Sequence, residues 1–187
     1  MHTRVSERCP SCGARIAADA HQTWPIVTEA DEAALLQALY RKKWYSAHGE
    51  QAIGLAEDWQ RYTGMPYVMA VDSCTSAIHL ALLALGIGPG HRVLVTSYSY
   101  IGSVLPILYV GAEPAWCDIT DDGTYTMDAQ HAADRIRAGG IDAVIAVHVH
   151  GGPVDMDPLI VACAEKGIPI IEDACQSHGA TYGGRMT

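Results

Sequence analysis

From Tyr67 onward, short apolar runs rich in β-branched residues alternate with longer segments whose apolar residues recur every three or four positions. The first pattern reads as buried strands and the second as amphipathic helices. Strands are expected at Tyr67 to Val71, Arg92 to Thr96, Glu113 to Asp118, Ala143 to Val147 and Ile168 to Ile171. Helices are expected at Ser76 to Leu85, Ile101 to Val110, Asp128 to Ala138 and Asp155 to Lys166, with Pro106 kinking the second of them. Strand–helix units that repeat about every 25 residues predict an α/β domain with a mostly parallel sheet and flanking helices. Right-handed crossovers then bring the carboxyl ends of the strands to one rim.

Upstream of the sheet the pattern is helical. Thr28-Glu29-Ala30-Asp31-Glu32 has a hydroxyl cap and an acidic first turn, followed by Leu35, Leu36 and Leu39 on one face, with Arg41-Lys42-Lys43 at the carboxyl end. A second helix is expected from Glu50 to Thr63, with Ile53, Leu55, Ala56 and Trp59 available for burial and Gly64 as its stop. The chain thus divides into a polar leader over 1–23, a helical segment over 24–66 and a sheet-bearing part over 67–187.

Composition narrows the classes. At 187 residues and 49% hydrophobic content, the chain has enough apolar material for one well-packed core. A net charge of −9, with nine Arg and three Lys scattered along the chain, argues against a nucleic-acid footprint. No apolar run is long enough to span a bilayer, and the amino terminus has no secretory signal, which points to the cytoplasm. The six cysteines, at 9, 12, 74, 117, 163 and 175, form no secreted-type framework and are expected to be reduced. Cys9-Pro10-Ser11-Cys12 has half the spacing of a zinc knuckle, with His21 the one nearby third ligand, and no metal site is expected.

Several loops on the predicted rim carry polar chemistry. Ile168-Pro169-Ile170-Ile171 leads into Glu172-Asp173, and Gln176 follows three residues later. A carboxylate at a strand's carboxyl end either caps the next turn or meets a cationic ligand group. Asp72-Ser73-Cys74-Thr75-Ser76 opens a helix with small hydroxyl residues: an ordinary N-cap, or a cradle of free amides for phosphate. The loop lacks both the Walker and the Gly-x-Gly-x-x-Gly patterns, which disfavours a nucleotide-binding domain. Ser97-Tyr98-Ser99-Tyr100 offers an aromatic that either packs or stacks on a planar ring. His148 and His150 either share a metal or are satisfied histidines beside the ligand. A phosphate cradle, an aromatic platform and a carboxylate with a glutamine describe a site for a phosphorylated ring with a basic nitrogen, as in pyridoxal phosphate.

The runs Ser73-Cys74-Thr75-Ser76-Ala77, Leu85-Gly86-Ile87-Gly88-Pro89-Gly90, Gly111-Ala112-Glu113-Pro114, Asp118-Ile119, Val147-His148, Asp155-Met156-Asp157 and Ile171 to Ala180 occur in this order. In these motifs, from Trp24 to the last residue, the chain resembles the DegT/DnrJ/EryC1/StrS aminotransferases. The resemblance implies the large domain of a fold type I (aspartate aminotransferase type) PLP-transferase, truncated here. It also implies transfer of an amino group from glutamate or glutamine to a nucleotide-linked keto sugar or a cyclitol ketone, by a homodimer when full length. By position it assigns backbone amides of Thr75 and Ser76 to the cofactor phosphate, Tyr100 to ring stacking, Asp173 to the ring nitrogen and Gln176 to the ring hydroxyl.

There are two departures from the family pattern. Cys74 stands where the family usually has Gly. The Schiff-base lysine of the family lies beyond the residues present: Lys42 and Lys43 precede the sheet, and Lys166 ends a crossover helix on the opposite rim. No catalytic residue is therefore assigned, and the 187 residues alone are expected to be inactive. Two other readings remain: the family's dehydratase branch, where His replaces that lysine, and a non-catalytic truncated partner subunit.

Overall fold

The computed structural model describes residues 25–42, 44–45 and 49–187. The Cys9/Cys12 pair, His21 and Lys43 lie outside them. The chain divides into two compact units, Met1–Leu55 and Ala56–Thr187.

In the first unit, α1 (Glu29–Arg41) begins at a capping box. Thr28 Oγ1 accepts the Asp31 N–H, and the Asp31 carboxylate accepts the Thr28 N–H at 2.7 Å. Leu35, Leu36 and Leu39 stay exposed, so periodicity located the stripe without supplying a cover for it. Helix α2 (Glu50–Thr63) crosses the boundary between the units and stops at Gly64, whose φ of 73° suits glycine. Within the second unit, the Trp59 ring meets His178 edge-on at 5.1 Å.

The segment Tyr67 to Val71 is not a strand. A strand needs a neighbour to take its N–H and C=O groups, and no described strand pairs with this one. Tyr67 is 92% exposed. Helix α3 (Cys74–Ala84) starts two residues before the expected position, because Ser73 Oγ accepts the Ser76 N–H at 3.2 Å and acts as the cap. Pro106 does not kink a helix. A short 3₁₀ turn, Ile101–Ser103, precedes α4 (Leu105–Tyr109), and Pro106 lies in the first turn of α4, where its missing N–H costs nothing.

Four strands form the parallel sheet: β1 (Arg92–Thr96), β2 (Glu113–Cys117), β3 (Ala143–Val147) and β4 (Ile170–Asp173), in the order β2-β1-β3-β4. Helices α5 (Ala129–Ala138) and α6 (Met156–Lys166) cover one face. On that face they meet Leu94, Ala115, Val144 and Ala146, whereas α3 and α4 cover Val93, Val95, Ala143, Ile145 and Val147 on the other. This is the two-residue alternation of a sheet buried on both sides. Strand β4 begins two residues later than expected. Gly167 ends α6 in the left-handed region (φ 68°), and the Ile168 N–H returns to the Cys163 carbonyl, so 168–169 belong to the helix exit. The last residues pair as a hairpin, β5 (Thr181–Tyr182) with β6 (Arg185–Met186), turning through Gly183 and Gly184 at positive φ.

Candidate cofactor site

Connections from β1 run outward to β2, and those from β3 run the other way to β4. Where the direction of winding reverses, the loops at the strands' carboxyl ends part and leave a crevice. Ser73, Cys74, Thr75, Tyr100, Gly102, Ser103, Val147, Asp173, Cys175 and Gln176 line a cavity of about 280 Å³ there, all within Ala56–Thr187. That is near the lower end of small-ligand sites.

Asp173 is the last residue of β4, not a residue beyond it. By the strand's period it shares a face with Ile171, which packs on the α3 and α4 side. Its carboxylate is therefore aimed at the start of α3 and is only 5% exposed. Burying a carboxylate is costly unless donors meet it. Ser103 Oγ donates to Oδ2 at 2.6 Å, and the Cys175 N–H donates to Oδ1 at 3.2 Å.

Ser103 is the residue that sequence reading missed. Its only signal was a hydroxyl inside an otherwise apolar segment, and the 3₁₀ turn is what points it at Asp173. Ser103→Ala, which removes a hydrogen bond to a buried charge, is expected to cost about 1.5–3 kcal/mol of stability. Urea unfolding of the two proteins checks it, and coincident midpoints would count against the role.

At the amino end of α3, the Ser76 amide is given to Ser73 Oγ and the Ala77 amide to the Ser73 carbonyl. The amides of Cys74 and Thr75 have no acceptor among the described residues and sit at the positive end of the helix dipole. Tyr100 lies at the mouth, 69% exposed. A Cβ on Gly102 would come within 2.6 Å of Thr75 Oγ1 and 2.9 Å of the Tyr100 ring, so only glycine lets these two walls approach as they do. Gln176 Oε1 accepts the His150 N–H at 2.8 Å, which leaves its amide NH₂ as a donor.

The two histidines do not share a ligand. His148 is buried, and its Nδ1 accepts the Val154 N–H at 3.0 Å. An accepting Nδ1 places the proton on Nε2, which donates to Glu172 Oε2 at 3.2 Å. His148 is thus the satisfied histidine of the alternatives. His150 instead holds Tyr98 Oη at 3.3 Å.

The expectation that all cysteines are reduced is corrected: Cys74 and Cys175 form a disulfide. Their separation in sequence hid it, because only the packing of α3 over the end of β4 brings them together. Cys74, Asp173 and Cys175 also place their donor atoms within 4.8 Å of one another. With the sulfurs bonded to each other, neither is a thiolate ligand for a metal.

An open, doubly wound α/β domain with a buried carboxylate and free helix amides at its switch point is the cofactor-binding class of domain. The family comparison makes it specific: the profile of the DegT/DnrJ/EryC1/StrS aminotransferase family matches residues 27–187, and the chain belongs to that family. It is 35% identical over 144 residues to the GDP-perosamine synthase of Caulobacter vibrioides, covering 77% of this chain and 38% of that protein. An aminotransferase from Psychrobacter cryohalolentis superposes with a TM-score of 0.81 at 28% identity, covering 89% of this chain and 42% of that one. A protein from Streptococcus pneumoniae assigned as a sugar aminotransferase, solved in its PLP form, does so at 0.78 and 28% identity, covering 87% and 44%. The chain spans less than half the length of these relatives. Among the described residues, no helix is long and apolar enough to cross a membrane.

Proposed function

We propose that this chain is the cofactor-binding part of a cytoplasmic, homodimeric, pyridoxal-phosphate-dependent aminotransferase. Its substrates on this reading are a nucleotide-linked keto sugar or a cyclitol ketone, with glutamate or glutamine as amino donor. Residues 67–187 form the cofactor domain, 24–66 the helical segment before it and 1–23 a leader. The observation that carries the reading is the Asp173 carboxylate, held by Ser103 and the Cys175 amide and facing a cavity that also receives the free end of α3.

The residues fit the cofactor. The unpartnered Thr75 amide would take a phosphate oxygen, and Ser76 would join it by exchanging its 3.2 Å cap bond to Ser73. Tyr100 would cover one face of the ring, in a space that a Cβ on Gly102 would fill. The free NH₂ of Gln176 would donate to a ring oxygen. Asp173 would face the ring nitrogen and hold a proton there, because an adjacent anion favours the charged form of a base. When bound, pyridoxal phosphate supplies an electron sink for the carbon that loses a proton.

Titration with pyridoxal phosphate, followed by intrinsic fluorescence, tests the reading. Tyr100→Ala is expected to weaken binding about two- to twelvefold, the equivalent of the roughly 0.5–1.5 kcal/mol of an aromatic stacking pair. Saturable binding that is unchanged in Tyr100→Ala would remove the stacking role, and no binding at all would remove the reading.

A further inference from the structure

Cys74 is the first residue of α3 and Cys175 lies two residues beyond β4, so the two belong to different walls of the cavity. They are 101 residues apart in sequence with Cα atoms 6.4 Å apart, inside the range of about 4.4–6.8 Å that a disulfide tolerates. Cys175 is exposed and Cys74 half-buried, so reagents in solution reach the pair. The remaining described cysteines are poor competitors. Cys117 and Cys163 are buried, and loss of solvation pushes their thiols up to about 12 and about 11, with Asp128 and Asp118 adding to the effect at Cys117.

The pair sits against Asp173. Cys74 Sγ is 3.4 Å from Oδ1, the oxygen that also receives the Cys175 N–H, while Ser103 occupies Oδ2. As a thiol, Cys74 has a proton to donate to Oδ1 and a side chain free to turn away about χ1. Bridged, the same sulfur has no proton and is fixed from both ends, so it stands against the carboxylate as a bulky group that cannot donate.

We propose that Cys74 and Cys175 are a thiol–disulfide exchange site for small-molecule disulfides of the glutathione type, and that closing the bridge weakens cofactor binding by fixing a non-donating sulfur against Asp173 at the edge of the cavity. That weakening rests on the reading of the cavity as the pyridoxal-phosphate site. In the first step the Cys175 thiolate attacks one sulfur of the small disulfide, forming a mixed disulfide and releasing one thiolate. The Cys74 thiolate then attacks Cys175 Sγ, closing the protein disulfide and releasing the second thiolate. The two protons given up by the cysteines end on the two released thiols. Two electrons pass from the protein to the small disulfide, and excess small thiol reverses both steps. In a reducing compartment, a bridge of this kind is a switch and not a staple.

The test uses the 187-residue chain equilibrated over a range of reduced to oxidised glutathione, then alkylated under native conditions and mapped by mass. Alkylation of Cys74 and Cys175 is expected to disappear together and to return with excess reduced glutathione. In Cys74→Ser, one glutathione is expected to stay on Cys175. Pyridoxal phosphate, titrated in parallel, is expected to bind the reduced chain at least tenfold more tightly than the oxidised one, and the Cys74→Ser/Cys175→Ser double variant is expected to lose that dependence.

The exchange site is overturned if both thiols stay alkylatable at every ratio, if the bridge maps to another cysteine, or if the reduced chain retains stoichiometric zinc on this pair in place of exchange. Equal cofactor affinity in the two states overturns the weakening of cofactor binding while leaving the cofactor reading intact. A bridge that forms in a chain with no cofactor affinity in either state overturns the cofactor reading and the weakening with it, and leaves the exchange chemistry standing.

Discussion

Asp173→Asn, in a version of the protein that carries the active-site lysine, is expected to retain the cofactor but to slow transamination by about a thousandfold. That corresponds to about 4 kcal/mol of barrier, at about 1.36 kcal/mol per factor of ten. Shape and hydrogen bonding are nearly kept: the Asn oxygen still accepts the Cys175 N–H, and the Ser103 hydroxyl turns from donor to acceptor for the new NH₂. What is lost is the negative charge, and with it the group proposed to hold a proton on a facing ring nitrogen. Rates under saturating cofactor give the answer. A variant within about tenfold of the parent would remove Asp173 from that role.

The second large effect concerns the 187 residues by themselves. With pyridoxal phosphate and borohydride they are expected to give no reduced adduct and no transaminase activity. Lys166 ends α6 beside Gly167, which leads into the amino end of β4, whereas Asp173 is at the carboxyl end of that strand. A strand of four residues separates the two rims by roughly 13 Å at about 3.3 Å per residue, with the sheet and its cover in between. Lys42 is the C-cap of α1, in the unit that ends at Leu55. Intact mass after reduction, followed by peptide mapping, is the measurement. A stoichiometric adduct on Lys42, Lys43 or Lys166 would show that a lysine of this chain reaches the cofactor.

Much of this protein was determined locally, in the order of its residues. The period-two and period-3.6 patterns located β1, β2, β3 and five of the six helices, because burying one face or both leaves a repeat that needs no knowledge of the partner. Cap chemistry placed Thr28 at the start of α1 for the same reason, since a cap satisfies groups only three residues away. The loops after β1 and β4 could be singled out because strand ends in such folds converge on one rim, whereas the individual roles of Thr75, Ser76, Tyr100, Asp173 and Gln176 came from the family resemblance.

Tertiary structure decided what depends on groups far apart in sequence. Tyr67 to Val71 has the composition of a strand but no described neighbour to pair with, and composition cannot show that a neighbour is missing. The stripe of α1 is apolar whether or not anything covers it. Ser103 looked like one polar residue in an apolar run until the turn at Ile101–Ser103 brought it 2.6 Å from a carboxylate 70 residues away. Cys74 and Cys175 each looked like a small apolar residue. They became a pair only because α3 packs over the end of β4, a contact made by the burial of Ile78 and Leu82 against the sheet, with Cys74 packed against the same cluster.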